Sequence, residues 1–179
     1  MNQIKSDTLS WSRLEYGNWN FYVAATSKGL SYVGEPNSSF GKMEDWAKRR
    51  FPQSEFILDD TRLQSFKKEL LEYLQGKRKW FTFSTDVQGT VFQTRIWGAL
   101  QQIPYGETWT YSQIADMIGK PSAVRAVGAA IGSNPVLISI PCHRVIGKNG
   151  TLTGYRGGLE MKRYLLRIEK QVKVNHIEK

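Results

Sequence analysis

The chain has 179 residues, room for one compact domain or two small ones sharing an interface, and its 40% hydrophobic content with 6 Trp, 8 Tyr and 8 Phe excludes a mainly disordered protein. Lys and Arg number 25 against 16 Asp and Glu, a formal charge of +9 that suits a polyanionic partner. One Cys excludes an internal disulfide, one Cys with two His excludes a closed four-ligand zinc site, and no Gly-rich phosphate loop is present, so neither metal nor cofactor is expected.

Residues 1–16 hold no apolar run of signal-peptide length, and the most apolar stretch, residues 136–140, falls far short of the ~20 needed to cross a bilayer. A cytoplasmic protein without a membrane partner is expected. Residues 20–25 and 30–33 are rich in aromatic and β-branched side chains, and Ser27, Lys28 and Gly29 between them supply hairpin chemistry, which predicts a small antiparallel sheet. Helical spacing follows over 43–50 and 63–74, where Leu63, Phe66, Leu70 and Leu74 share a face and Gly76 ends the run. This α/β half shows no convergent acids, bases or nucleophiles and reads as scaffold.

Residues 1–86 carry 13 basic and 11 acidic side chains, a net +2, whereas the remainder carries 12 and 5, a net +7. A polyanion should therefore meet mainly the C-terminal half. There Phe92, Ile96, Leu100 and Ile103 form one helical stripe, broken by Pro104, Tyr105 and Gly106. Thr110 to Gln113 has the form of a capping box opening a helix through Ile118. Gly119, Lys120 and Pro121 turn the chain, and Ser122 reads as N-cap of a helix over 123–132 whose buried face is Val124, Val127 and Ile131. Two short helices about a tight turn suggest helix-turn-helix. The outer face of the second helix, Ser122, Arg125, Ala126, Ala129, Gly132 and Ser133, is small except for one arginine. Such a face admits close approach of another protein element or a nucleic-acid groove, and Arg125 suits insertion into an electronegative stack.

The apolar run 135–140 leads into Pro141, Cys142, His143 and Arg144, a setting that can favour the nucleophilic thiolate. Adjacent side chains on an extended segment point to opposite faces, so Cys142 and His143 would work through a water, with a carboxylate from elsewhere orienting the imidazole. Glu169, at the end of a stripe of Leu159, Leu165, Leu166 and Ile168, is one of only five acids after Asp86. The polar residues from Lys170 onward read as a frayed tail.

Pro141-Cys142-His143-Arg144-Val145, downstream of Arg125-Ala126-Val127-Gly128 and Asn134-Pro135 and followed by Gly154-Tyr155-Arg156-Gly157-Gly158-Leu159, resembles the O6-alkylguanine-DNA alkyltransferase family, the methylated-DNA-protein-cysteine methyltransferases. The match is specific from Phe92 to Glu169 and loose from Leu9 to Gly34.

The resemblance implies a ribonuclease-H-like α/β scaffold over 1–86, a mainly α winged-helix or helix-turn-helix DNA-binding and alkyl-acceptor domain over 87–170, and a tail over 171–179. It implies a monomer that repairs O6-alkylguanine, and in some members O4-alkylthymine, in double-stranded DNA by one irreversible transfer. Cys142 would accept the alkyl group, His143 would deprotonate it through a water, Glu169 would hold the imidazole, and Tyr111 would crowd a phosphate and donate toward the guanine. Arg125 would fill the gap left by the flipped nucleotide, while Ser122, Ala126 and Ala129 lie against the minor groove. The carbonyls of Cys142 and Val145 and the amide of Arg156 would meet the base, Tyr155 would line the pocket, and Asn134 would support the helix-turn and Tyr111. The zinc ligands of some members are absent here, whereas the cysteine missing from a lesion-binding relative is present. A helix-turn-helix regulator would need more than Arg125 to read base edges, and a Cys-His hydrolase has no use for a small-residue helix or a basic surface.

Overall fold

The computed structural model describes residues 8–174. The N-terminal half is built on β1 (Thr8–Tyr16), β2 (Trp19–Ala25), β3 (Leu30–Val33) and β4 (Glu55–Leu58), in the order β3-β2-β1-β4. The first three are antiparallel neighbours, with Leu14 opposite Phe21 and Val23 opposite Val33, but β4 runs parallel to β1. The sheet is therefore mixed, where the sequence predicted an antiparallel one. The chain passes from β3 to β4 through α1 (Phe40–Arg50), and such a crossover returns it in the same direction. β1 escapes periodicity because Ser10 and Ser12 are as deeply buried as Leu9 and Leu14.

The predicted hairpin turn is present between β2 and β3, closed by Thr26 N–H donating to Gly29 O at 3.0 Å. Gly29 is required by a close approach: a Cβ there would stand 2.3 Å from the carbonyl oxygen of Ser84. Helix α2 (Asp60–Leu74) starts three residues before Leu63 because Asp59 caps it, accepting from Arg62 N–H at 2.9 Å. It buries Leu63, Leu70, Tyr73 and Leu74.

In the C-terminal half, α3 (Val91–Leu100) precedes β5 (Trp109–Thr110), α4 (Tyr111–Met117) and α5 (Val124–Gly132). The capping box predicted for α4 forms as expected, with Thr110 and Gln113 bonded reciprocally. Gly119 ends that helix at φ +69°, and the following Lys120 N–H donates to Ala115 O at 2.9 Å. Ser122 does not cap α5: it lies inside a 3-10 turn, Pro121–Ala123, that feeds straight into the helix. Val127, Ala130 and Ile131 face inward, while Ser122, Arg125, Ala126, Ala129, Gly132 and Ser133 are all exposed.

A second parallel pair, β5 with β6 (Val145–Ile146), ties the segment before α4 to the segment after Cys142. The final helix, α6 (Leu159–Val174), runs through the first residues of the predicted tail, and residues 175–179 lie outside the described part. One hydrophobic cluster joins Phe21 and Leu70 to Ile96, Val127, Leu137 and Leu165, so residues on both sides of Asp86 share a core. The cysteine segment docks on the sheet edge, where Val33 N–H donates to Pro135 O at 3.0 Å and Leu137 N–H to Val33 O at 3.2 Å. Among the described residues no helix is long and apolar enough to cross a membrane.

Candidate active site

Asn134 organises the loop that carries the thiol. Its Oδ1 accepts from Val136 N–H at 2.9 Å, and its Nδ2 donates to Ile140 O at 3.0 Å and to Sγ of Cys142 at 3.2 Å. These bonds hold a chain in which Ile138 adopts φ +71°, a conformation costly for a β-branched residue. Asn134 therefore supports the cysteine loop directly.

Cys142, His143 and Arg144 form a 3-10 turn, not an extended segment. Cys142 is 4% exposed. Burial pushes its thiol up from the ordinary value, and the Asn134 hydrogen bond with the charges of Arg156 and Lys162 offsets this only in part. The resting form is thus a thiol, contrary to what the flanking His and Arg suggest, because desolvation outweighs Asn134, Arg156 and Lys162. An adjacent base is needed to ionise it.

His143, the next residue in the chain, is completely buried. Its Nε2 meets Oε1 of Glu169 at 2.6 Å, while its Nδ1 is buried with no hydrogen-bond partner among the described residues. Burial lowers the imidazole against the opposing pull of Glu169, so it rests neutral with a free lone pair. Glu169, also completely buried, has a carboxylate that burial would raise, but His143, Arg144 and Tyr73 hold it at about 2. Arg144 Nε donates to its Oε2 at 3.0 Å, Gly106 N–H to the same oxygen at 2.8 Å, and Tyr73 OH to its Oε1. An anion with this many donors orients the imidazole and stabilises its charged form without itself taking the proton.

Cys142 opens onto a cavity of about 590 Å³ whose walls include Tyr111, Arg125, Gly128, Tyr155 and Arg156, within the size range of a small-ligand pocket. Tyr111, the first residue of α4, accepts from Thr153 Oγ1 at 3.3 Å. Arg156 is anchored to the N-terminal half: its Nη2 donates to Val33 O at 3.2 Å, and its guanidinium lies 5.8 Å from the Tyr32 ring centroid. Ser122, Ala126 and Ala129 are not among the cavity walls but lie on the exposed surface that begins at Arg125. Val145 is buried, and its carbonyl already accepts from Lys162 Nζ at 2.5 Å.

Two participants escaped the sequence reading. Tyr73 sits three residues from Leu70 on the buried face of α2 and is indistinguishable there from a core aromatic. Lys162 is completely buried, donates also to Thr153 O at 2.8 Å, and is lowered to about 8 by desolvation. It shares the i, i+3, i+7 row of Leu165 and Glu169, the one signal that could have revealed it.

Fold and site together define a single-cysteine acceptor: a buried thiol backed by a His-Glu pair, facing a cavity beside a helix of small outer surface. Residues 91–171 match the model of the 6-O-methylguanine DNA methyltransferase DNA-binding domain. The inducible methylated-DNA-protein-cysteine methyltransferase of Bacillus subtilis is 57% identical over 169 residues, covering 94% of either chain. The crystal structure of Mycobacterium tuberculosis O6-methylguanine methyltransferase is similar with a TM-score of 0.76 at 36% identity, over 92% of this chain and 94% of that one. A structure of the Mycobacterium tuberculosis protein in complex with DNA has a TM-score of 0.77 at 37% identity, over 90% of this chain and 93% of that one. The chain belongs to the methylated-DNA-protein-cysteine methyltransferase family.

Proposed function

We propose that this chain repairs O6-alkylguanine in double-stranded DNA by moving the alkyl group onto Cys142 once and irreversibly. The observation that carries the assignment of Cys142 is its place on the wall of a cavity shared with Tyr111, Tyr155 and Arg156, in the same turn as a carboxylate-oriented His143. His143 Nδ1 takes the thiol proton through a water; the thiolate attacks the alkyl carbon, the new S–C bond forms as C–O6 breaks, and the electron pair leaves on the guanine. Tyr111 supplies a proton to the departing base and is reprotonated through water as the His143 imidazolium gives up the thiol's proton, so both residues regain their starting forms and the transfer consumes no net proton. The thioether is stable, so each molecule reacts once.

A cavity of this kind reaches the lesion only if the nucleotide is extruded from the stack. Arg125 fills the gap, and the small face of Ser122, Ala126 and Ala129 lets α5 lie in the minor groove. The Arg156 amide meets O6 and Tyr155 packs on the base. The carbonyls of Cys142 and Val145 accept from the guanine amino group, Val145 through the lone pair that Lys162 leaves free. Within this reading residues 1–86 are a ribonuclease-H-like scaffold, 87–170 a winged helix-turn-helix unit bearing the acceptor, and the protein works as a monomer inside the cell. O4-alkylthymine fits the same chemistry, since its alkyl carbon also sits on an exocyclic oxygen.

The test is the intact mass of the protein after incubation with excess duplex DNA bearing one O6-methylguanine. A gain of one methyl group on Cys142, stopping at one per molecule, is expected. An unchanged mass with tight lesion binding would make it a recognition protein instead. Affinity should also fall with salt by about 0.9 log units per neutralised phosphate per tenfold salt.

A further inference from the structure

We infer that Tyr73, on α2 of the N-terminal half, is a positioning residue that acts through Glu169 to hold His143 as a weak, correctly oriented base. The phenol donates to Oε1 of Glu169, the same oxygen that His143 engages, and lies 3.4 Å from His143 Nε2. Its own oxygen accepts from Arg144 Nη2 at 3.2 Å. The ring is fixed by Phe81 and Tyr105, with centroids 5.1 Å and 5.9 Å away, and 96 residues separate Tyr73 from Glu169 in the chain. A catalytic relay that would otherwise lie wholly within the C-terminal half is thus completed by the scaffold.

The physical consequence follows from competition for one oxygen. Each donor on Oε1 spreads the carboxylate charge and weakens its pull on the imidazolium. Removing the phenolic OH leaves Oε1 more basic toward His143 and so raises the pH at which the imidazole protonates. The other groups facing His143 stay in place: Lys162 and Glu169 on α6, Arg144 and Cys142 on its own turn, and Tyr155 with its ring centroid 6.3 Å away.

The consequence for repair rests on the alkyl-transfer reading; the test does not, because it uses the full chain without DNA. His143 is one of two histidines, so its ring nitrogens can be assigned by NMR against a His143→Gln variant and titrated. Tyr73→Phe keeps the ring and should raise the His143 midpoint by about half a unit to one unit, with Nε2 still the protonated nitrogen at high pH. In a Glu169→Gln background the same substitution should leave the midpoint unmoved. An unchanged or lowered midpoint, or a rise that persists without Glu169, overturns the inference. A second reading needs no variant: in the native chain the Tyr73 hydroxyl proton should resonate far downfield and shift at the His143 midpoint, and its absence from that region would also overturn it. If the chain transfers alkyl groups, the acid limb of its pH–rate profile should move upward in Tyr73→Phe by the same amount, whereas a purely structural defect would lower the rate equally at every pH.

Discussion

Asn134 and Cys142 are joined directly, the amide Nδ2 donating to Sγ at 3.2 Å across eight residues of loop. A donor to sulfur favours the thiolate and is the largest force opposing the desolvation of this buried thiol. In Asn134→Ala the pH midpoint for alkylation of Cys142 by iodoacetamide should therefore rise, and the rate near neutral pH should fall several-fold. Peptide mapping of the modified cysteine over a pH series checks this. An unmoved midpoint would leave Asn134 as a brace for the loop alone.

Arg125 and Ala129 lie on one exposed surface of α5. Arg125→Ala should slow repair of duplex DNA by at least tenfold while leaving the slow reaction with free O6-benzylguanine within about twofold, since a free base needs no gap filled. Ala129→Leu should weaken duplex binding without changing the unfolding midpoint. Equal loss on duplex and free base would remove the stack-filling role.

Glu169 is matched by the buried Arg144, whose Nε lies 3.0 Å from Oε2. Glu169→Gln leaves that cation uncompensated, at a cost of about 3–5 kcal/mol. The carboxyl sits at about 2 in the folded chain, below its unfolded value of 4.5, so its contribution is complete above pH 4.5 and is lost as pH falls toward 2. The native chain should lose stability across that window more steeply than the variant. Urea unfolding at pH 7, 4 and 3 reads the difference.

Lys162 acts in the same sense in a higher pH window. Burial lowers it to about 8 from 10.5, so the folded chain gives up a proton before the unfolded one does, and stability rises between those two values. Lys162→Met should abolish the rise. It should also slow alkyl transfer, because the carbonyls of Val145 and Thr153 lose the ammonium that holds them together.

Much of the C-terminal half was legible in the chain because its signals are local. The capping box of Thr110 and Gln113, the stop at Gly119 and the stripe of Val127 and Ile131 each involve residues within two helical turns, and each is present. Ser122 was misread because an N-cap and a 3-10 turn share the same residue preferences. β4 was missed because four residues carry too short a pattern, and its partner β1 lies more than forty residues away. The helix of the supposed tail was missed because its later residues are mostly polar.

The sequence by itself determined that one thiol, flanked by Pro141 and His143, follows two short helices with a small outer face and an excess of positive charge. Capping, periodicity and composition are properties of contiguous residues and survive without a fold. Only the tertiary structure decided that this thiol is desolvated, that Glu169 rather than another acid reaches His143 across 26 residues, and that Tyr73 reaches the same carboxylate from the other half. Desolvation and charge pairing depend on what surrounds a group in space, and that is settled by packing between segments whose order along the chain says nothing of their distance.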